Sequence, residues 1–244
     1  MSAPTLTTVN LVAGYEPTLP IVNGIDLSVA PGDFVTIMGP NGAGKSTLVK
    51  AIAGTVPIHS GRVLLGDFDL TRTDLHQRVR HGLAFVPQTE NVFAKMSIAD
   101  NLELAAQVLG PSLRRQRVDA MYAMFPDLAS RPRMPAGRLS GGQRQMLAIA
   151  RALVVEPSVL ILDEPSAGLS PKMVADVFAT LTRINAQGVS ILLVEQNVRA
   201  ALAVARTAVV LVEGRIRHHG PAAELRDSPR LYELFLGTRG ETAA

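Results

Sequence analysis

The chain has 244 residues, 47% of them hydrophobic, which is enough for one large domain with a sizeable core. Its formal net charge of +3 comes from mixed, scattered charges, which argues against nucleic acid as a partner because that needs a clustered basic face. It has no cysteine, which excludes disulfides and thiolate metal sites.

The N-terminal stretch MSAPTLTTVNLVAGY has neither the basic nor the apolar segment of a leader. No apolar run reaches the roughly 18 residues needed to cross a bilayer, so any membrane role is expected to be peripheral. Short β-rich runs then alternate with helical stretches, which predicts an α/β fold with covered sheet faces. Strands are expected at Leu6–Val12, Ile25–Val29 and Phe34–Met38, followed by a helix at Ser46–Ala53. Arg62–Leu65 with Gly66-Asp67 reads as a strand and turn, and Leu83–Val86 as a strand ended by Pro87. From about residue 89 to 138 strands give way to helical patterning at Ile98–Val108 and Leu113–Phe125, and Pro126, Pro132 and Pro135 then break the chain. We read this stretch as a helical subdomain inserted into a single domain spanning 1–244, with its core in 1–88 and 139–244. The basic cluster Arg114–Arg117 reads as a solvated helix face. The core resumes with a helix at Gly141–Val154 and strands at Val159–Leu162 and Val189–Val194. Thr207–Glu213 and Arg215–His218 form an expected hairpin about Gly214, and two short helices near Pro221–Leu225 and Pro229–Leu236 follow.

The most informative stretch is Gly39, Pro40, Asn41, Gly42, Ala43, Gly44, Lys45, Ser46 and Thr47. It matches G-x-x-x-x-G-K-[ST], follows an apolar strand and opens a helix, as a phosphate loop requires. Glycines let the backbone wrap phosphates with inward N–H groups, and the helix N-terminus adds partial positive charge. Lys45 can reach the β- and γ-phosphates, and the Ser46 hydroxyl can ligate Mg²⁺. A second apolar strand, Val159–Leu162, ends in Asp163 and Glu164. Two carboxylates there are costly without a cation, so Asp163 is the expected Mg²⁺ ligand and Glu164 the group that polarises an attacking water. LSGGQ at Leu139–Gln143 has no phosphate-holding sequence beside it. Ser140 and the N–H groups of Gly141 and Gly142 open a helix and so form a second anion site, one expected to complete a site on another subunit.

With these motifs in this order, nearly the whole chain resembles the ATP-binding subunits of ABC transporters. The resemblance implies a P-loop NTPase of the ABC ATPase type, with a mixed β core, ATP and Mg²⁺. It implies two cassettes packed head to tail, ATP lying between the phosphate loop of one and Ser140, Gly141, Gly142 and Gln143 of the other. By the same resemblance Tyr15 stacks on adenine, and Gln88 senses Mg²⁺ and the attacking water. The segment after Gln88, about Thr89–Asn101, meets a membrane subunit, and Ser166–Pro171 contacts the opposite cassette, with Ser170 where many members have Asp.

One departure is plain. Most members carry a histidine after the last core strand that contacts the γ-phosphate, whereas this chain reads Leu193-Val194-Glu195-Gln196-Asn197 and has no histidine between His81 and His218. Gln196 fills the position; its amide can donate a hydrogen bond but cannot carry charge or shuttle a proton. Hydrolysis is expected to persist through Glu164, without a titration near neutral pH from this position. LVEQNVRAAL, VPQTENVF, EPSAGLSP and the ending Pro229–Gly237 are similar to the smaller ATPase subunit of branched-chain amino acid importers, and to the related urea and short-amide importers. That implies a second, different ATPase subunit, transmembrane permeases, an indirectly coupled extracytoplasmic binding protein, and a place on the cytoplasmic side of the membrane. A non-transport ABC ATPase is the rival reading, but repair members carry a long coiled-coil insertion and translation factors two cassettes, and this chain has neither. A regulatory subunit without turnover is opposed by Lys45 and Glu164.

Overall fold

The computed structural model describes residues 3–226. Two sheets enclose one helix. The first is antiparallel, with β1 (Leu6–Ala13) between β2 (Val22–Val29) and β4 (Ile58–Leu65), and β4 turning into the two-residue β5 (Phe68–Asp69). In the second, β3 (Phe34–Met38) lies between β8 (Ser190–Val194) and β9 (Thr207–Val212). Beyond β8 come β7 (Val159–Asp163) and β6 (Leu83–Val86), all parallel, while β10 (Arg215–Pro221) closes the far edge antiparallel to β9.

Every residue of β3, β7 and β8 is buried, which is why these strands read as continuous apolar runs. Their side chains still divide by the two-residue period. Val159 and Ile161 join Val35, Ile37, Leu192 and Val194 in the core beneath the antiparallel sheet. Leu160 and Leu162 join Phe34, Met38, Ile191 and Leu193 on the opposite face. Helix α1 (Lys45–Ala53) fills the space between the sheets through buried Leu48, Val49 and Ile52. Its C-terminal carbonyls are capped by Arg78, a buried residue of α2 (Leu75–Arg80), which donates to Ala51 and Ile52 as well as to Thr71 and Thr73. Burial pulls the Arg78 guanidinium down to about 10.

The other face of the parallel sheet is covered by helices. They are α3 (Ile98–Ala105), α4 (Pro111–Met124), α5 (Pro126–Ala129), α6 (Gly141–Leu153), α7 (Pro171–Ala186) and α8 (Val198–Val204). The helix expected over Ile98–Val108 divides into α3 and a 3-10 turn at Ala106–Val108. Ile98, Leu102, Val118, Met121, Phe125 and Leu128 share one buried cluster with α6 and the sheet, so the stretch between 89 and 138 is braced by the main core. Helices α2, α7 and α8 stand where no element was expected. Because β10 runs on to Pro221, the helix expected near Pro221–Leu225 starts later, as α9 (Ala223–Arg226). The one expected at Pro229–Leu236 lies outside the described residues. No helix among the described residues is long and apolar enough to cross a membrane.

Candidate active site

β3 runs directly into the glycine-rich loop, and α1 begins at Lys45. Gly39 sits at φ +149°, and a Cβ there would lie 2.0 Å from the Leu211 carbonyl oxygen, so a side chain would displace the loop from β9. The N-cap of α1, Gly44, takes φ +96°. Behind the loop, the Gly214 N–H in the β9–β10 turn donates to the Ala43 carbonyl at 2.9 Å. Asn41 and Gly42 are exposed at the crest, while Ala43, Gly44, Lys45 and Thr47 are buried.

The Lys45 ammonium curls back and donates to the carbonyls of Gly39 and Pro40, both at 3.0 Å. Burial lowers its pKa from the ordinary lysine value, against the pull of Glu164 and Asp163. A desolvated ammonium held by neutral carbonyls gains strongly from an arriving anion. The next residue, Ser46, donates its hydroxyl to Asp163 Oδ1 at 2.9 Å. Asp163 ends β7 at 1% exposure, and its Oδ2 is buried with no hydrogen-bond partner. Burial pushes its carboxyl upward, opposed by the Ser46 hydrogen bond and by Lys50 and Lys45. An orphaned buried carboxylate oxygen beside a serine hydroxyl fits a hard, oxygen-seeking divalent cation such as Mg²⁺. No cluster of three or more His, Asp or Glu that could hold a metal occurs among the described residues, so phosphate oxygens and water would have to complete its shell.

Glu164 follows at φ +49°, a left-handed conformation that costs a non-glycine residue about 1–3 kcal/mol. Its N–H is tied to the Val194 carbonyl at 2.8 Å. Its Oε2 accepts from the amides of Gln88 and Gln196, each at 2.8 Å. Gln88 follows β6 and Gln196 follows β8, the two neighbours of β7. Parallel strand order therefore gathers Gln88, Asp163, Glu164 and Gln196 at one edge, where ligands of α/β sheets bind. Gln196, expected from resemblance to face the phosphate, donates one of its two amide protons to Glu164.

Two predicted elements lie further out. Tyr15 is 59% exposed just beyond β1. Nearby Ile21 donates its N–H to Ala13 and packs beside Gly44, which places that end of β1 against the phosphate loop. Leu139–Gln143 opens α6 with a reciprocal cap: the Ser140 hydroxyl accepts from the Gln143 N–H at 3.3 Å, and Gln143 Oε1 accepts from the Ser140 N–H at 3.1 Å. Ser140 and Gly141 are exposed, and Gly142 is packed under Met173 of α7. No hydrogen bond among the described residues joins this motif to Lys45, Ser46, Asp163 or Glu164. Ser170 precedes α7 without a side-chain capping bond.

One buried acid escaped the sequence reading. Glu195 is 2% exposed, its Oε1 accepting from the Ser166 N–H at 2.9 Å and its Oε2 from the N–H groups of Gln196 (3.1 Å) and Asn197 (3.3 Å). Burial raises its carboxyl pKa, against hydrogen bonding by the Ser166 side chain and by the N–H groups of Ser166, Asn197 and Gln196. Its signal resembled that of Asp163, an acid directly after an apolar run, here Ile191–Val194.

A phosphate loop feeding a sandwiched helix, with carboxylates at the end of a neighbouring parallel strand, defines a P-loop nucleoside-triphosphatase. The comparisons narrow the class: the ABC transporter family profile matches residues 22–167, and the chain belongs to that family. A probable branched-chain amino acid transport ATP-binding protein, LivF, of Archaeoglobus fulgidus is 42% identical over 233 residues, covering 95% of this chain and 98% of that one. BraG of Pseudomonas aeruginosa, a high-affinity branched-chain amino acid transport ATP-binding protein, is 34% identical over 93% of this chain and 97% of its own length. LptB of Escherichia coli K12, from a lipopolysaccharide export system, is also 34% identical, covering 96% and 97%. A solved nucleotide-free ATP-binding cassette from an ABC transporter superposes with TM-score 0.83 at 27% identity, covering 96% of this chain and 99% of that one. The expected α/β P-loop fold and ATPase class hold.

Proposed function

We propose that this chain is the ATP-hydrolysing subunit of an importer for branched-chain amino acids. The observation that carries the chemistry is the convergence of Gln88 and Gln196 on one oxygen of Glu164, beside the Ser46–Asp163 pair and Lys45. Both amides grip Oε2, which leaves Oε1 to orient a water toward the γ-phosphorus and receive its proton. Lys45 exchanges its loop carbonyls for phosphate oxygens and offsets their charge. Ser46, Asp163 and Gln88 would hold Mg²⁺, whose charge supports the leaving diphosphate. The water's bond to phosphorus forms as the bond to the bridging oxygen breaks, giving ADP and inorganic phosphate. Tyr15 offers its ring to the adenine.

The exposed Ser140–Gln143 helix start supports pairing with a second cassette, whose phosphate loop it would cover while its own counterpart covers this one. ATP drives closure because it binds the closed pair better than the open one. Permease subunits at the segment following Gln88 would receive that motion on the cytoplasmic side of the membrane, with an extracytoplasmic binding protein acting through them. The names of the 42% and 34% identical relatives support branched-chain amino acids as cargo. Deleting the gene and measuring uptake of labelled leucine and labelled urea tests this. Loss of leucine uptake, restored by wild-type chain but not by Glu164→Gln, is expected. Loss of urea uptake alone would move the chain to the urea and short-amide group, and loss of neither would refute the import reading.

A further inference from the structure

Building on the assignment of Glu164 as the group that orients water, we propose that Glu195 is a positioning residue for ATP hydrolysis, holding Glu164 through Gln196 on one side and Ser166 on the other. The hydrogen bonds close a ring. Glu164 leads through Pro165 to Ser166, whose N–H donates to Glu195 Oε1; the chain passes to Gln196, whose amide donates back to Glu164 Oε2. The second Glu195 oxygen pins the backbone of Gln196 and Asn197. One carboxylate thus ties the loop after β7 to the loop after β8, and Glu164 stands where they meet.

Three features make this more than packing. Glu195 is buried and no cation forms an ion pair with it among the described residues, so its charge is offset by hydrogen bonds from the two loops. Glu164 is held at φ +49°, a conformation that persists only when its surroundings over-determine it. And Gln196 is neutral, so it can restrain Glu164 only by where its amide is placed, which Glu195 sets from one residue away. Ser166 also opens the loop running to Pro171, so a shift of that loop reaches Glu164 through the same carboxylate.

Glu195→Gln tests this, because it keeps the shape but replaces one acceptor oxygen with an NH₂ that faces an N–H. In the assembly purified with the full-length chain, kcat should fall between about tenfold and a hundredfold. The ATP KM should stay within about twofold, since ground-state binding is untouched. Gln196→Ala should lower kcat as well, and the double variant should be no slower than the slower single one, because both act through one linkage. Unchanged kcat in Glu195→Gln, a raised KM alone, or losses that multiply in the double variant would overturn the proposal. Should Glu195→Gln fail to fold, Glu195→Asp replaces it with the same expectation, its carboxylate being one methylene too short to span both loops. Glu164→Gln run alongside separates the two ideas: if it turns over normally the assignment of Glu164 fails, whereas if it alone is inactive only the role of Glu195 fails.

Discussion

The phosphate loop and the Ser140–Gln143 motif are both glycine-rich helix starts, yet the molecule treats them oppositely. The first opens a helix buried between two sheets, and unmet electrostatic demand gathers there in desolvated Lys45 and in the orphaned Oδ2 of neighbouring Asp163. The second exposes Ser140 and Gly141, and its cap is satisfied by its own Ser140 and Gln143. One has polar groups left unsatisfied; the other has its cap closed within its own first turn. The contrast fits the proposal that nucleotide lies on the phosphate loop of one cassette and is completed by the Ser140–Gln143 helix start of a second.

Four substitutions break or sharpen that contrast. Glu164→Gln strikes the buried half, where the proposed water-orienting group lies, so kcat should fall about 10²–10⁴-fold with nucleotide affinity kept; single-turnover hydrolysis together with equilibrium binding checks both. Ser140→Arg strikes the exposed half. It should lower kcat of the assembly by about a hundredfold, the size of losing one preorganised donor, while the Kd of the isolated chain for Mg-ATP stays unchanged. Equal loss of affinity in the isolated chain would mean that the motif serves its own phosphate loop.

Asp163→Asn trades function for stability. The folded-state pKa of Asp163 is raised by burial, so the unfolded chain sheds this proton first as pH rises. The group therefore destabilises the fold above the ordinary carboxylate value of 3.8, fully so once pH exceeds the raised value. Without magnesium at pH 7–8, Asp163→Asn should raise Tm by about 2–4 °C, as relief of about 1 kcal/mol does in a chain this long, and the gap should close below the carboxylate range. Thermal scans with and without chelator at several pH values would show it. The smallest effect is expected at Tyr15→Ala, where loss of a ring on an open surface should weaken Mg-ATP binding about fivefold, with Tyr15→Phe unchanged.

Local chemistry made the buried half legible in the sequence. The loop from Gly39 to Thr47 and the acids after Val159–Leu162 are contiguous, and each carries its own physical signature. The meeting of Gln88 and Gln196 on Glu164 could not be read that way, because it depends on β6, β7 and β8 lying side by side, and strand order leaves no local trace. Resemblance supplied both glutamines but not their shared hold on the Glu164 carboxylate. Glu195 went unread although, like Asp163, it follows directly on an apolar run. Among the helices, α2 and α8 have too few residues for a periodic signal. Helix α7 has one, with Pro171 at its first position and Val174, Val177, Phe178, Leu181 and Ile184 on one face.

The most direct test of the shared site is the mass of the Glu164→Gln chain by analytical ultracentrifugation, with its companion cassette supplied. Mg-ATP should convert single cassettes into pairs, and either Lys45→Ala or Ser140→Arg should abolish the conversion. Cassettes that stay single under Mg-ATP, or that pair as readily with Ser140→Arg, would contradict the account.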